Sequence, residues 1–121
     1  MAIETELGLG LKGTKATLAE RINISIKDNG VIKGSTKRVT TTYLITATDE
    51  VVFCNTNSGD FTVTLPAGVE GTHYKIINCG SSGNTLTVDG DSAELVYGET
   101  TQDLSDGDVI DLHYNTTEGW W

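Results

Sequence analysis

The stretch GDFTVTLPAGVEGTHYKIINCGSSGNTLTVDG, Gly59 to Gly90, decides the fold class. Phe61, Val63 and Leu65 alternate with Thr62 and Thr64, the period of two that sends successive side chains to opposite faces of a strand. Threonine is itself a strand former, so the polar side of this run is still a good sheet surface. Pro66, the one proline of the chain, lacks an amide donor and ends the run. HYKIIN and TLTVDG continue the pattern on either side of the turn CGSSGN.

Outward from this stretch, the same alternation predicts strands near Thr41 to Ala47, Val51 to Asn55, Asp60 to Leu65, Tyr74 to Asn78, Thr85 to Asp89, Glu94 to Tyr97 and Val109 to Tyr114. NSGD, PAGVEG, CGSSGN, DGDS, YGETT and SDGD supply the turns. Short strands at regular spacing predict a mainly β module over residues 41–121, a β-sandwich or an open barrel. No repeat with a solenoid period accompanies them, so HYKIIN and TLTVDG read as adjacent strands joined by a Gly-rich loop.

Residues 1–40 read differently. Thr17 and Glu20 have capping-box spacing, and Leu18 and Ile22 share one helical face, which predicts a short helix over Thr14 to Arg21. Ile22, Ile24 and Ile26 then alternate up to Asn29-Gly30, a hairpin signal, with Ile32 beyond it. Two turns of helix and one hairpin are marginal in isolation. Leu18, Ile22, Ile24, Ile26 and Ile32 therefore need a partner surface, and this arm is expected to pack on its own body or on other copies. GSTKR, Gly34 to Arg38, reads as the linker to the module.

A chain of 121 residues holds one ordinary domain, or a small domain with an arm, and excludes a large multi-domain enzyme. It contains no apolar run long enough to cross a membrane as a helix, and MAIETELGLGLKG lacks the form of a secretory signal, so the expected place of synthesis is the cytosol. The net charge of -9 is unevenly spread. Up to Thr40, seven bases outnumber four acids; beyond it Lys75 stands alone against thirteen acids. Such an acidic body repels phosphate backbones, which argues against nucleic acid as a partner, whereas the basic arm suits an acidic site on a neighbour.

Groups that could carry chemistry are sparse. Asp103, Asp106, Asp108 and Asp111 are dense enough to suggest calcium, but their spacing departs from the EF-hand loop, and solvated turn carboxylates are the expected reading. His73 and His113 stand in strand-like runs without a metal-ligand motif; His113 shares a strand face with Asp111, as a surface pair would. No serine sits in a nucleophile elbow, and GLGLKG lacks the spacing of a phosphate loop. The expectation is a non-enzymatic protein with no catalytic residue, metal or cofactor. Cys54 and Cys79 read as buried, reduced strand cysteines, with a bridge between neighbouring strands as the rival. The terminal EGWW stands out, because Trp120 and Trp121 cannot both stay in water without forming an aromatic patch. At least one should close a sheet edge, and a sugar-stacking platform is the functional alternative.

Two regions resemble bacteriophage virion proteins. AIETELGLGLKGTKATLAERI is similar to a segment of phage and prophage fibre-like proteins, with Glu6, Leu7, Gly8, Lys12, Gly13, Ala16, Thr17, Leu18 and Arg21 in matching places. TVTLPA, the IxNxGSSGNTLTVDG pattern ending at Gly90, and the terminal tryptophans resemble a small β module of phage tail fibres and spikes. The resemblance implies a homotrimer on the outside of a virion, made in the bacterial cytoplasm. Its N-terminal segments would associate about a threefold axis, and capsid or tail proteins would be its partners. It also implies a role in host attachment, with a host-surface glycan as a further partner. The chain lacks shaft repeats and is too short for a long tail fibre, which points to a head fibre, capsid decoration protein or small tail-tip element; a small carbohydrate-binding module is the alternative.

Overall fold

The strands form largely where alternation predicts them, but their pairing follows a different plan. The computed structural model describes residues 34–121. Its strands, in chain order, are β1 (Thr36–Val39), β2 (Tyr43–Leu44), β3 (Val51–Cys54), β4 (Phe61–Thr64), β5 (His73–Asn78), β6 (Leu86–Asp89), β7 (Thr101–Leu104), β8 (Val109–Asn115) and β9 (Gly119–Trp120). No helix occurs among the described residues. The helix expected over Thr14 to Arg21, the hairpin at Asn29-Gly30, and Leu18, Ile22, Ile24, Ile26 and Ile32 all lie outside them.

There are two mixed sheets, in the orders β1-β3-β5-β8-β9 and β2-β4-β6-β7. From β1 to β6 the chain changes sheet at every step. β1, β3 and β5 pair in parallel, as do β2, β4 and β6. The path is a flattened coil whose successive turns stack on one another. β7 then folds back antiparallel on β6, and β8 returns antiparallel to β5 with β9 beside it. HYKIIN and LTVD are therefore not adjacent strands: β5 and β6 lie in different sheets. The turns of the coil are unequal, since Thr36 pairs with Val51 and Val51 with Lys75, which is why no fixed sequence period accompanies them.

Three local readings are corrected. GSTKR is not a linker: Thr36, Lys37 and Arg38 belong to β1, an edge strand whose side chains are exposed until Val39. Glu94 to Tyr97 is not a strand. Val96 makes isolated bridges to Glu99 and Trp120, and Tyr97 (φ 54°) and Gly98 (φ 81°) turn the chain away. Strand β7 went unpredicted because TQDL buries only Leu104.

Both sheets contribute inward residues to one core. Val52, Tyr74, Ile76 and Leu112 come from one sheet, and Val63, Leu65, Leu86 and Val88 from the β4 to β6 side. The reading of the opening stretch holds, with Phe61, Val63 and Leu65 inward and Thr62 and Thr64 half-buried on the other face. Each fully buried aliphatic side chain contributes about 1.5 to 3 kcal/mol.

Polar groups lock the corners. Between β2 and β3, Asp49 accepts hydrogen bonds from the Tyr43 hydroxyl at 2.7 Å and the Thr46 amide at 3.0 Å. Burial pushes the Asp49 carboxyl up, but these donors outweigh it and hold the group below its ordinary range. At the opposite corner Asn78 is fully buried. Its Oδ1 accepts from the Thr56 hydroxyl at 2.9 Å and the Gly80 amide at 3.0 Å, and its Nδ2 donates to the Leu104 carbonyl at 3.0 Å. A Cβ at Gly80 would stand 2.4 Å from Thr56 Oγ1, so the loop can approach only as glycine. Asn57 Oδ1 accepts from the Ser81 amide, Asp60 Oδ1 from the Thr85 amide and Asp106 Oδ2 from the Gly83 amide. The CGSSGN motif thus clamps NSGD and SDGD.

Parallel register also separates the cysteines. Cys54 pairs with Asn78, so Cys79, one residue further, faces the other way. Cys54 is buried as expected and Cys79 is exposed, contrary to expectation; both are free. Burial, and to a lesser degree the neighbouring Cys79, push the Cys54 thiol up to about 12. A maleimide at about pH 8 should modify Cys79 alone in the folded protein and reach Cys54 only after unfolding, as read by mass spectrometry. Rapid modification of both thiols without denaturant would refute this placement.

Candidate functional site

Trp120, which ends β9, and Trp121, just beyond it, turn to opposite faces. Trp120 in β9 is fully buried, with its ring 5.7 Å from that of Tyr74 and 5.0 Å from that of Tyr114, the latter edge-on. Its indole Nε1 donates to Glu94 Oε1 at 3.2 Å, which meets the need of a buried indole for an acceptor. The same carboxylate accepts from the Gly68 amide at 3.0 Å. Trp120 thereby ties the β9 edge to the Pro66 to Gly68 corner.

Trp121 turns outward and is 53% exposed. It exchanges both backbone hydrogen bonds with His113, continuing the register in which Tyr114 faces Trp120. Residues directly opposite in an antiparallel pair share a face, so Trp121 and His113 are neighbours on the outer surface. His113 in turn lies opposite His73, and their imidazole rings stack at 4.4 Å. Trp121 also stacks on Tyr97, with ring centres 5.8 Å apart.

Trp121 with Tyr97 therefore forms one stacked pair, and His73 with His113 forms another on the outer face of the five-stranded sheet. Beside it, Asp111 Oδ1 lies 3.5 Å from His73 Nε2 and 3.9 Å from Lys75 Nζ. The Tyr97 hydroxyl donates to the Asp111 carbonyl at 3.0 Å, and Trp121 Nε1 donates to the Glu118 carbonyl at 2.8 Å, so both large rings are fixed. A shallow depression of about 220 Å³ lies nearby, lined by Glu94, Leu95, Tyr114 and the 116–119 turn.

EGWW pointed to this region, but Tyr97 and the histidine stack carry no sequence signal of it: the histidines meet through the β5–β8 register, and Tyr97 reaches Trp121 through the bridge between Val96 and Trp120. The expected pairing of His113 with Asp111 along one strand is replaced by Asp111 reaching His73 across strands. The four aspartates of DLSDGDVIDL are not gathered either. Asp103 accepts from Thr87, Asp106 from Gly83 and Asp108 from Ser105, while Asp111 faces His73 and Lys75. Among the described residues, no three His, Cys, Asp or Glu side chains are grouped to hold a metal ion. Neither any protein-family model nor any curated protein matches the chain.

Proposed function

We propose that the chain is a non-enzymatic bacteriophage virion protein, a homotrimeric fibre, spike or decoration element carried on the particle. The observation that carries this reading is the self-contained body Gly34–Trp121. Its parallel coil seals its own core and is locked at the corners by backbone and amide hydrogen bonds, an architecture suited to bearing load. The motif by which the chain resembles phage β modules, INCGSSGNTLTVDG, is the corner clamp of that coil.

Charge supports the same division of labour. The body carries Lys37, Arg38 and Lys75 against thirteen acids, which favours solubility and an exposed position. The preceding segment carries more bases than acids together with Leu18, Ile22, Ile24, Ile26 and Ile32, and suits subunit association and attachment. The full chain should run in light scattering at three times its monomer mass, and Leu18→Asp with Ile22→Asp should dissociate it while the body stays folded. A stable monomer at about micromolar concentration, where specific oligomers persist, would refute the trimer. Because β1 belongs to the body, the attachment test removes residues 1–33 and no more. A body that still binds particles at full occupancy without them would refute the anchoring role.

A further inference from the structure

We infer that the outer face of the five-stranded sheet is a subunit interface, on which a second copy of this chain docks. The contact rests on the homotrimeric reading and adds to it a surface supplied by the body itself. β3 reads VVFC and β5 contains Ile76-Ile77, so apolar side chains point outward as well as inward, the composition of parallel strands covered on both faces. In register, Arg38 of β1 lies opposite Phe53 of β3, Phe53 opposite Ile77 of β5, and Ile77 opposite Val109 of β8. Phe53 and Val109 are 36% and 50% exposed. The outer face of the other sheet has the opposite character, with Thr62, Thr64, Thr87, Asp89 and Asp103 across it and Leu44 at its edge.

Charge identifies the occupant. The apolar line has a base at its β1 end, Arg38, and acids at its β8 end, where Asp108 and Asp111 flank Val109 and Ile110. Among the described residues Arg38 makes no ion pair, and Asp111 holds its cations loosely, His73 at 3.5 Å and Lys75 at 3.9 Å. β9 pairs only with Tyr114 and Asn115, so the Val109 to Asp111 end of β8 is a sheet edge. A face with opposite charges at its two edges is complementary to itself. Around a threefold axis the β1 edge of each subunit meets the β8 edge of the next, which brings Arg38 of one copy to Asp111 of its neighbour and encloses Phe53, Ile77 and Val109. Of the three bases in the body, Arg38 and Lys75 both stand on this face, which reduces repulsion between acidic copies where they touch. The chain enters the body through β1, so copies associated through residues 1–33 hold these faces at high effective concentration.

The test is light scattering of the full chain over a concentration series. Phe53→Glu, a charge at the centre of the face, should raise the concentration at which the assembly dissociates about tenfold or more, with the fold checked by unchanged fluorescence of the buried Trp120. Arg38→Glu should raise it about threefold or more, and adding Asp111→Arg to that variant should restore it. Within one chain these two residues are three strand spacings apart, roughly 14 Å at about 4.8 Å each, so recovery reports contact between copies. Both are on the surface, and this pair decides the matter if Phe53→Glu does not fold. A parent chain that is monomeric overturns the trimer and this contact together. A trimer whose dissociation is unchanged in Phe53→Glu and Arg38→Glu overturns this contact alone, leaving association to residues 1–33 and the face to another partner or to solvent. Failure of Asp111→Arg to restore assembly also overturns it, because the two edges then do not meet.

Discussion

Trp120→Ala should lower the free energy of unfolding by about 3 to 5 kcal/mol, the range for deleting a large core aromatic. The indole fills the space between Tyr74 and Tyr114, and the cavity left behind can close only if β9 moves. Its loss also removes a donor from Glu94, leaving the Gly68 amide as the remaining donor observed on that carboxylate. The Pro66 to Gly68 corner cannot shift inward to compensate, because it already abuts Tyr114: a Cβ at Gly68 would lie 2.1 Å from that ring. Trp121→Ala is the matched comparison. Its ring is half exposed, so it should cost no more than about 1 kcal/mol. Urea unfolding of both variants checks the contrast, and equal losses would show that the buried and exposed tryptophans are assigned the wrong way round.

The second large effect is expected at Asn78. Asn78→Asp keeps the acceptor used by Thr56 and Gly80 but replaces the donor to the Leu104 carbonyl with a carboxylate oxygen. An ionised carboxylate there is fully buried beside a carbonyl, without a cation. The loss at neutral pH should be about 3 to 5 kcal/mol, as for an uncompensated buried charge. Its sign with pH follows from linkage. The site disfavours the charged form, so the introduced group titrates higher when folded than when unfolded. Relative to the parent, the variant should be least impaired below about pH 4, near the unfolded carboxyl value, and lose stability as pH rises to the folded value. Denaturant midpoints for both proteins across that range measure the difference. A penalty independent of pH would mean that water reaches this corner. Asn78→Ala should also destabilise, through the orphaned Thr56, Gly80 and Leu104 groups, but without this pH dependence.

Much of the strand content was legible because alternation is local. Phe61, Val63 and Leu65 announce their face whatever lies beside them, and the same holds for Tyr74, Ile76 and Asn78 in β5. Edge strands were hidden for an equally local reason. Thr36 to Arg38 and Thr101 to Asp103 are largely solvent-facing, so their composition reads as loop or turn. Parallel pairing was hidden because it is a property of strand partners, and the corners between them differ in length. The same distinction governs the two outer ring pairs. Two adjacent tryptophans draw notice in the sequence, whereas the meeting of His73 with His113, and of Trp121 with Tyr97, exists only once the registers are set.

The unequal turns of the coil bear on how such a body can change over evolutionary time. Stacking requires that the strands keep their pairing, but it sets no common length for the corners: the rise from Thr36 to Val51 and that from Val51 to Lys75 are served by very different spans. Doubling a flexible corner adds only about 0.6 kcal/mol of closure entropy. Corners without a clamp can therefore gain or lose residues while the stack persists, and lineages built on this plan would diverge first in length and surface character, with the inward side chains of β3 to β6 changing last. The exposed stretch at Val69 to Gly71 is not such a corner: Glu70 accepts from the Thr116 amide and hydroxyl and the Gly71 amide donates to the Tyr114 carbonyl, so growth there would break these ties to the β8–β9 turn.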